Sequence, residues 1–362
     1  MPNPTDILLP PDESPETVLG HCFKDCWGFE PESVARLKGD ASLRTIYRLK
    51  YDGISVIGVF GPNLAENMAF TGFTKTFLKS NLPVPALLYV HFTNKYYLLE
   101  DLGDETLFAK LGKLRSLAGG GFPFEQITQY YEKAVDFLSE FQLLSAGNID
   151  YSLCYQTDSF GEEAWKFDHE YFLNSFLDTL YPDYIDRASV EKELEYHQNL
   201  LKLYTSDYFL YRDFQSRNIM IKDDNLRFID YQSGRRGYPS YDIASLLYDA
   251  RADLPMEFRS ELLTRHTDNT ASHTALSAGE LSEAFPVYAE MRILQALGSY
   301  GNNGIRKNNR EYIEAMPFAL RNIRSLMKED ARLSKMTAVR DIFDRMHEEK
   351  PWLKYLNQSR PN

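Results

Sequence analysis

The chain has 362 residues, 43% hydrophobic and 25% charged, with a formal net charge of −12 at pH 7. That balance belongs to an ordinary globular protein with a sizeable core, in one large or two medium domains, and excludes a fibrous or disordered chain. So acidic a chain is a poor general binder of nucleic acid or membrane, and an anionic ligand needs a local positive field.

Three cysteines, Cys22, Cys26 and Cys154, are too few and odd in number for a disulfide framework. They suit a reducing compartment. The seven histidines show no metal-ligand spacing, and His266 and His273 read as surface residues. Residues 1–6 lack the basic and apolar regions of a signal peptide, and no apolar run is long enough to span a bilayer. The expected location is the cytoplasm.

Residues 13–38 read as a mostly helical lead-in, starting at Ser14-Pro15-Glu16. From Leu37 to Leu49 the pattern is strand, tight turn, strand. The turn is Gly39-Asp40-Ala41-Ser42. Backbone N–H groups in such a turn suit phosphate oxygens, which makes Gly39 and Ser42 candidate nucleotide contacts. An ordinary hairpin is the plainer reading of the turn taken alone.

Tyr51-Asp52-Gly53 is a second turn, and Ile54–Phe60 a third strand rich in Ile and Val. In protein kinases this strand carries a lysine that pairs with nucleotide phosphates. Here it has none. Arg44, beside the first turn, is the candidate substitute, against the plainer reading of an exposed strand arginine.

Residues 64–80 carry Phe70, Phe73, Phe77 and Leu78 at helical spacing. Leu87–Val90 and Tyr96–Leu99 read as the last strands of a five-stranded sheet. In a bilobal kinase the linker after the fifth strand faces adenine. Leu98 to Leu102 is the matching segment, with Glu100 and Leu102 as candidate contacts. Beyond it the chain turns helical, with helices expected over 124–144, 165–180 and 190–204, then from Gly237 to about residue 350.

The chemistry concentrates at Tyr211-Arg212-Asp213-Phe214-Gln215-Ser216-Arg217-Asn218 and Phe228-Ile229-Asp230-Tyr231-Gln232. Ile219–Ile221 and Leu226–Ile229 read as two strands joined by a turn at 222–225. Such a hairpin brings Asn218 and Asp230 towards Asp213. Phosphoryl transfer needs that set: Asp213 to orient the attacking hydroxyl, Asn218 and Asp230 to hold metal ions on the phosphates. Each residue alone is more simply a turn cap. The spacing of the three, with strands in place, points to a kinase-type site.

From about Lys38 to Asp249 the segments resemble the aminoglycoside-phosphotransferase-like kinases. Within them the chain looks most similar to the bacterial anomeric kinases of N-acetylmuramate and N-acetylglucosamine. The residues behind the likeness are 39–44, Leu99-Glu100-Asp101-Leu102-Gly103, the Asp213 and Asp230 segments, and Tyr241-Asp242-Ile243-Ala244-Ser245-Leu246-Leu247. Two departures stand out: Tyr211 takes the place of the usual histidine, and the strand lysine is absent.

The resemblance implies an α+β, bilobal protein-kinase-like fold. Its small lobe (1–100) holds a five-stranded antiparallel sheet and the nucleotide, and its large helical lobe (101–362) holds catalysis and substrate. It further implies ATP and Mg²⁺ as cofactors, a small-molecule sugar or alcohol as substrate, and a bracing role for Asp242. Arg212, Arg217, Arg235 and Arg236 lie beside the site in sequence. Arg217 and Arg235 are the candidate substrate contacts for an anionic sugar, against a purely bracing role. Two alternatives stay open: an aminoglycoside- or choline-type kinase, and a nucleotide-binding pseudokinase adaptor suggested by the missing lysine.

Overall fold

The computed structural model describes residues 13–38, 43–144, 147–182 and 186–358. Gly39 and Ser42 lie outside them. The first part of the chain builds α1 (Pro15–Trp27), β1 (Ser33–Arg36), β2 (Thr45–Tyr51), β3 (Ile54–Phe60), α2 (Leu64–Lys79), β4 (Leu87–Val90) and β5 (Tyr96–Glu100). The strands form one antiparallel sheet in the order β1-β2-β3-β5-β4.

The lead-in is shorter than expected. Ser14 caps α1 by accepting the Thr17 N–H, and Gly28 ends it in the left-handed conformation at φ 83°. Residues 33–36, expected as helix, form the edge strand instead, with Val34 opposite Leu49. β1 is four residues long and mostly exposed, so it carries no apolar alternation to read.

The two faces of the sheet are covered differently. In β5, Leu98 packs with Val18, Leu19 and Phe23 of α1, whereas Tyr97 and Leu99 pack on the α2 side. This follows from the two-residue period of a strand. The α2 side belongs to a continuous apolar core that runs into the helical lobe. Phe70 stacks on Tyr231 at 4.9 Å, and Phe77 meets Phe141 edge-on at 4.9 Å. The helix beside the sheet is therefore bolted to the rest of the molecule by aromatic contacts.

The second lobe holds α3 (Leu107–Leu117), α4 (Phe124–Leu143), α5 (Glu162–Phe172), α6 (Asp178–Leu180) and α7 (Arg187–Leu201). Four short strands follow: β6 (Tyr208–Leu210), β7 (Ile219–Lys222), β8 (Asn225–Phe228) and β9 (Arg235–Gly237). Then come α8 (Ser240–Leu247), α9 (Met256–His273), α10 (Ala278–Ser299), α11 (Arg310–Glu329), α12 (Thr337–Glu349) and α13 (Leu353–Gln358).

β7 and β8 form the expected hairpin, with Lys222 opposite Asn225. Asp223 and Asp224 at its tip both have positive φ, 49° and 62°. A two-residue turn of that hand matches the strand twist. The helix expected over 165–180 is broken by a π turn at Leu173–Leu177. A second π segment, Tyr300–Arg306, meets it through Gly301, where a Cβ would stand 1.9 Å from the Ser175 carbonyl oxygen. His266, expected at the surface, is 1% exposed, with Nε2 3.0 Å from Gln142 Oε1, because α9 lays that face on α4. His273 is exposed as expected. No helix among the described residues is long and apolar enough to cross a membrane.

Candidate active site

Sheet and helical lobe enclose a cleft of about 770 Å³. Asp213, Asn218 and Asp230 line its middle. They arrive there through a short chain of local constraints.

β6 ends at Leu210, and the backbone turns sharply at Arg212, which has φ 81°. A non-glycine residue there costs roughly 1–2 kcal/mol. The surroundings hold it in place. Asp242, at the start of α8, accepts the Tyr211 N–H at 2.7 Å and the Arg212 N–H at 2.8 Å. The Arg212 guanidinium turns inward onto Asp168 at 2.7 and 2.9 Å, and lies 4.6 Å from the Phe160 ring centre. With Arg212 anchored inward, Asp213 is delivered to the cleft. Burial pushes the Asp242 carboxyl up to about 7, against the two N–H groups and Gln142 that favour its ionised form.

The hairpin fixes the other two residues. Ile229 N–H bonds to the Asn218 carbonyl at 3.1 Å. The Asn218 amide nitrogen donates to the Asp213 carbonyl at 2.9 Å and to Asp230 Oδ2 at 3.3 Å. Both nitrogen contacts orient the amide oxygen as an acceptor. Asp230 has φ 71°, and Gln232 Nε2 donates to its Oδ1 at 3.0 Å. Burial, and next the charge of Asp230, push the Asp213 carboxyl above the ordinary aspartate value. Like charges facing one cleft repel, and each favours protonation of the other.

Tyr211 is fully buried, and its hydroxyl donates to the Ile229 carbonyl at 2.6 Å. It thus ties the segment that leads into Asp213 to the residue before Asp230. Tyr231, after Asp230, hydrogen-bonds Thr74 of α2 at 2.6 Å. Helix α2 is thus tied directly to the segment that follows Asp230.

Arg44 reaches the centre of the cleft. Its Nη2 sits 2.7 Å from Asp230 Oδ1 and its Nε 3.4 Å from Glu66 Oε1 on α2. In protein kinases a strand lysine pairs with a glutamate of the corresponding helix. Here an arginine just before β2 meets a glutamate in the first turn of α2. Sequence reading passed over Glu66. Its only signal was an acid near a helix start, which also describes an ordinary capping residue.

Glu100 and Leu102 also line the cleft. Burial raises the Glu100 carboxyl, but the Lys222 ammonium at 2.7 Å and the Ala86 N–H outweigh it and hold the group below its usual range. The same lysine donates to the Asp101 carbonyl at 3.0 Å, so the hairpin clamps the inter-lobe linker.

The two expected substrate arginines separate. Arg217 lines the cleft and lies 3.5 Å from Asp249. Arg235 is 3% exposed and does not line the cleft, donating instead to Thr157, Gln156 and the Ser233 carbonyl. It braces a loop. Arg292 of α10 stands on the cleft wall instead, beside Gln295, Ser299 and Tyr300. It lies 79 positions beyond Asp213, and nothing near it in sequence marks it.

A bilobal α+β architecture with an Asp-Asn-Asp cluster between sheet and helices is the architecture of the kinase-like phosphotransferases. Residues 33–276 match the phosphotransferase enzyme family, and the chain belongs to that family. It is a phosphotransferase with an alcohol group as acceptor, acting on small molecules. A curated relative is the N-acetylmuramate/N-acetylglucosamine kinase of Neisseria meningitidis serogroup B, 24% identical over 318 residues, covering 83% of this chain and 87% of that protein. Among solved structures, choline kinase from Streptococcus pneumoniae aligns with a TM-score of 0.56 at 15% identity, covering 88% of this chain and 99% of that one. An amicoumacin kinase in complex with AMP-PNP and Ca²⁺ aligns with a TM-score of 0.58 at 14% identity, covering 92% and 93%. These two structural likenesses concern the fold.

Proposed function

We propose that the protein is an ATP- and Mg²⁺-dependent amino-sugar kinase that phosphorylates N-acetylmuramate or N-acetylglucosamine at the anomeric hydroxyl. The observation that carries the reading is the charge of the cleft beyond Asp213. That end bears Arg217 and Arg292, and its carboxylate, Asp249, is engaged by Arg217 and by Ser216 at 3.1 Å. A polycationic aminoglycoside or a choline needs uncompensated carboxylates there. The amino-sugar relative at 24% identity supports the same reading. Tyr248, Tyr300 and Tyr312 on this wall favour the choline-type reading second, because aromatic faces bind quaternary ammonium groups.

In this reading residues 1–100 form the nucleotide lobe and 101–362 the catalytic and substrate lobe. Adenine lies along Glu100 and Leu102. Hard oxygen donors suit Mg²⁺, and a site with one or two carboxylates leaves room for water and phosphate oxygens. Asn218 and Asp230 fit that description and would hold the ion. The ion would neutralise charge on the phosphates.

Asp213 orients the acceptor hydroxyl and takes its proton. Its raised pKa makes it a better base, and an anomeric hydroxyl gives up its proton more readily than an ordinary alcohol. Arg44, held by Glu66, meets the phosphates from the sheet side. It fills the role of the missing strand lysine. Turnover with Mg-ATP against N-acetylmuramate, N-acetylglucosamine, plain hexoses, choline and kanamycin tests the proposal. C1 phosphates of the amino sugars are expected; turnover of choline or kanamycin alone overturns it.

A further inference from the structure

We infer that Arg292 is the specificity-determining residue of the acceptor end and that it selects an acceptor carrying a carboxylate. The inference rests on the proposed reading that a sugar hydroxyl is phosphorylated in this cleft. It adds which group of the acceptor is recognised, and by what.

Four arginines stand on the cleft wall: Arg44, Arg48, Arg217 and Arg292. Arg44 has Asp230 at 2.7 Å, Arg48 has Asp101 at 2.7 Å, and Arg217 has Asp249 at 3.5 Å. Arg292 has no carboxylate within 4.0 Å among the described residues. Yet it is 7% exposed, well buried for an arginine. A buried cation is stable when paired, and an unpaired one pays a desolvation cost.

Its contacts hold the guanidinium without neutralising it. Nε donates to Ser245 Oγ at 2.8 Å and Nη1 to Gln295 Oε1 at 2.9 Å. Both partners are neutral. Nη2 makes no hydrogen bond to a described residue and belongs to a side chain on the cleft wall. The fork is thus oriented in advance, with donors left for a planar anion. Arginine binds carboxylates in this two-pronged way. Gln295 and Ser299 follow at three and seven positions along α10, which places all three on one helix face. Ala296 between them leaves room.

The rival role is electrostatic support of Asp213, whose carboxyl is stabilised in its ionised form by Arg212 and then by Arg292. The two roles differ in what they do to different acceptors. Support of Asp213 acts on every acceptor alike, through kcat and the acid limb of the pH profile. Recognition of a carboxylate acts on binding, and only where a carboxylate is present.

The test compares N-acetylmuramate with N-acetylglucosamine, which lacks the carboxylate-bearing lactyl group, on wild type, Arg292→Gln and Arg292→Lys. Binding is read by calorimetry in the presence of AMP-PNP, and turnover by steady-state kinetics. The wild type is expected to bind the carboxylated sugar more tightly. Arg292→Gln is expected to cut the ratio of the two kcat/KM values ~10- to 100-fold, the worth of a charge-assisted hydrogen bond, mainly through KM. Arg292→Lys keeps the charge and is expected to restore part of the ratio.

An unchanged ratio with both acceptors weakened alike, or an acid limb that moves while KM does not, overturns the inference. So does a wild type that binds both sugars equally or neither. A wild type that binds N-acetylmuramate through Arg292 but phosphorylates neither sugar keeps the inference and overturns the proposed function.

Discussion

The hydroxyl of the fully buried Tyr211 donates to the Ile229 carbonyl across 2.6 Å. This single bond joins the strand that enters the catalytic loop to the residue that precedes Asp230. Removing the hydroxyl leaves the half-buried Ile229 carbonyl short of a donor. Tyr211→Phe is expected to lower stability by ~1–2 kcal/mol, read in urea unfolding. A modest loss of kcat should accompany it, because Asp213 and Asp230 lose their shared reference. Unaltered stability would show that the bond is absent in solution.

Asp213→Asn keeps the volume and removes the base. The expected loss in kcat is ~10²- to 10⁴-fold, with nucleotide affinity retained. The wild-type pH profile carries the same information. Asp213 must be ionised to take a proton, so activity is present above its pKa and lost below it. Burial and Asp230 raise that pKa, so the acid limb is expected above the ordinary aspartate value of about 3.9. An acid limb at or below that value contradicts the assignment.

Arg44 and Glu66 are expected to act as a unit. Arg44→Ala and Glu66→Ala should each weaken nucleotide use, and the double variant should lose clearly less than the two losses combined. A coupling energy of ~0.5–3 kcal/mol in a double-mutant cycle on kcat/KM for ATP is the expected size for residues in contact. Strict additivity would separate the two residues and remove Arg44 from the role of the strand lysine.

Glu290 of α10 is fully buried, with neither carboxylate oxygen hydrogen-bonded among the described residues. Burial, then Asp330 and Glu193, push its carboxyl up to about 8. A carboxyl whose folded pKa lies above its unfolded value favours the fold when protonated. That contribution is complete below about 4.5 and is lost as pH rises through about 8. Glu290→Gln is neutral at every pH. Its melting temperature is expected to exceed the wild type's by several degrees at pH 9, roughly 2–4 °C per kcal/mol, and by little at pH 5. An equal difference at both pH values would exclude titration of Glu290 as the cause.

Much of the architecture was legible locally. β3 over residues 54–60, β4 over 87–90 and the β7–β8 hairpin all fall where turn chemistry and period placed them. The Asp213, Asn218 and Asp230 spacing was legible for the same reason. A hairpin with a two-residue turn sets the distance between its ends within a dozen residues, so the sequence contains the whole constraint. β1 escaped because a four-residue exposed edge strand buries no stripe.

What local pattern did not contain is which charges face one another. Arg217 and Arg235 both lie within about two dozen positions of Asp213, yet one lines the cleft and the other braces Gln156 and Thr157. Arg44 meets Asp230 across 186 positions. Arg292 reaches the cleft only because α10 packs against α8 and α5. Periodicity reports which face of an element is buried. It does not report what that face is buried against, because the pairing of distant elements is settled by packing across the whole core. The reaction class was therefore written in one contiguous stretch, while the residues proposed to choose nucleotide geometry and acceptor, Arg44, Glu66 and Arg292, were assembled by tertiary structure alone.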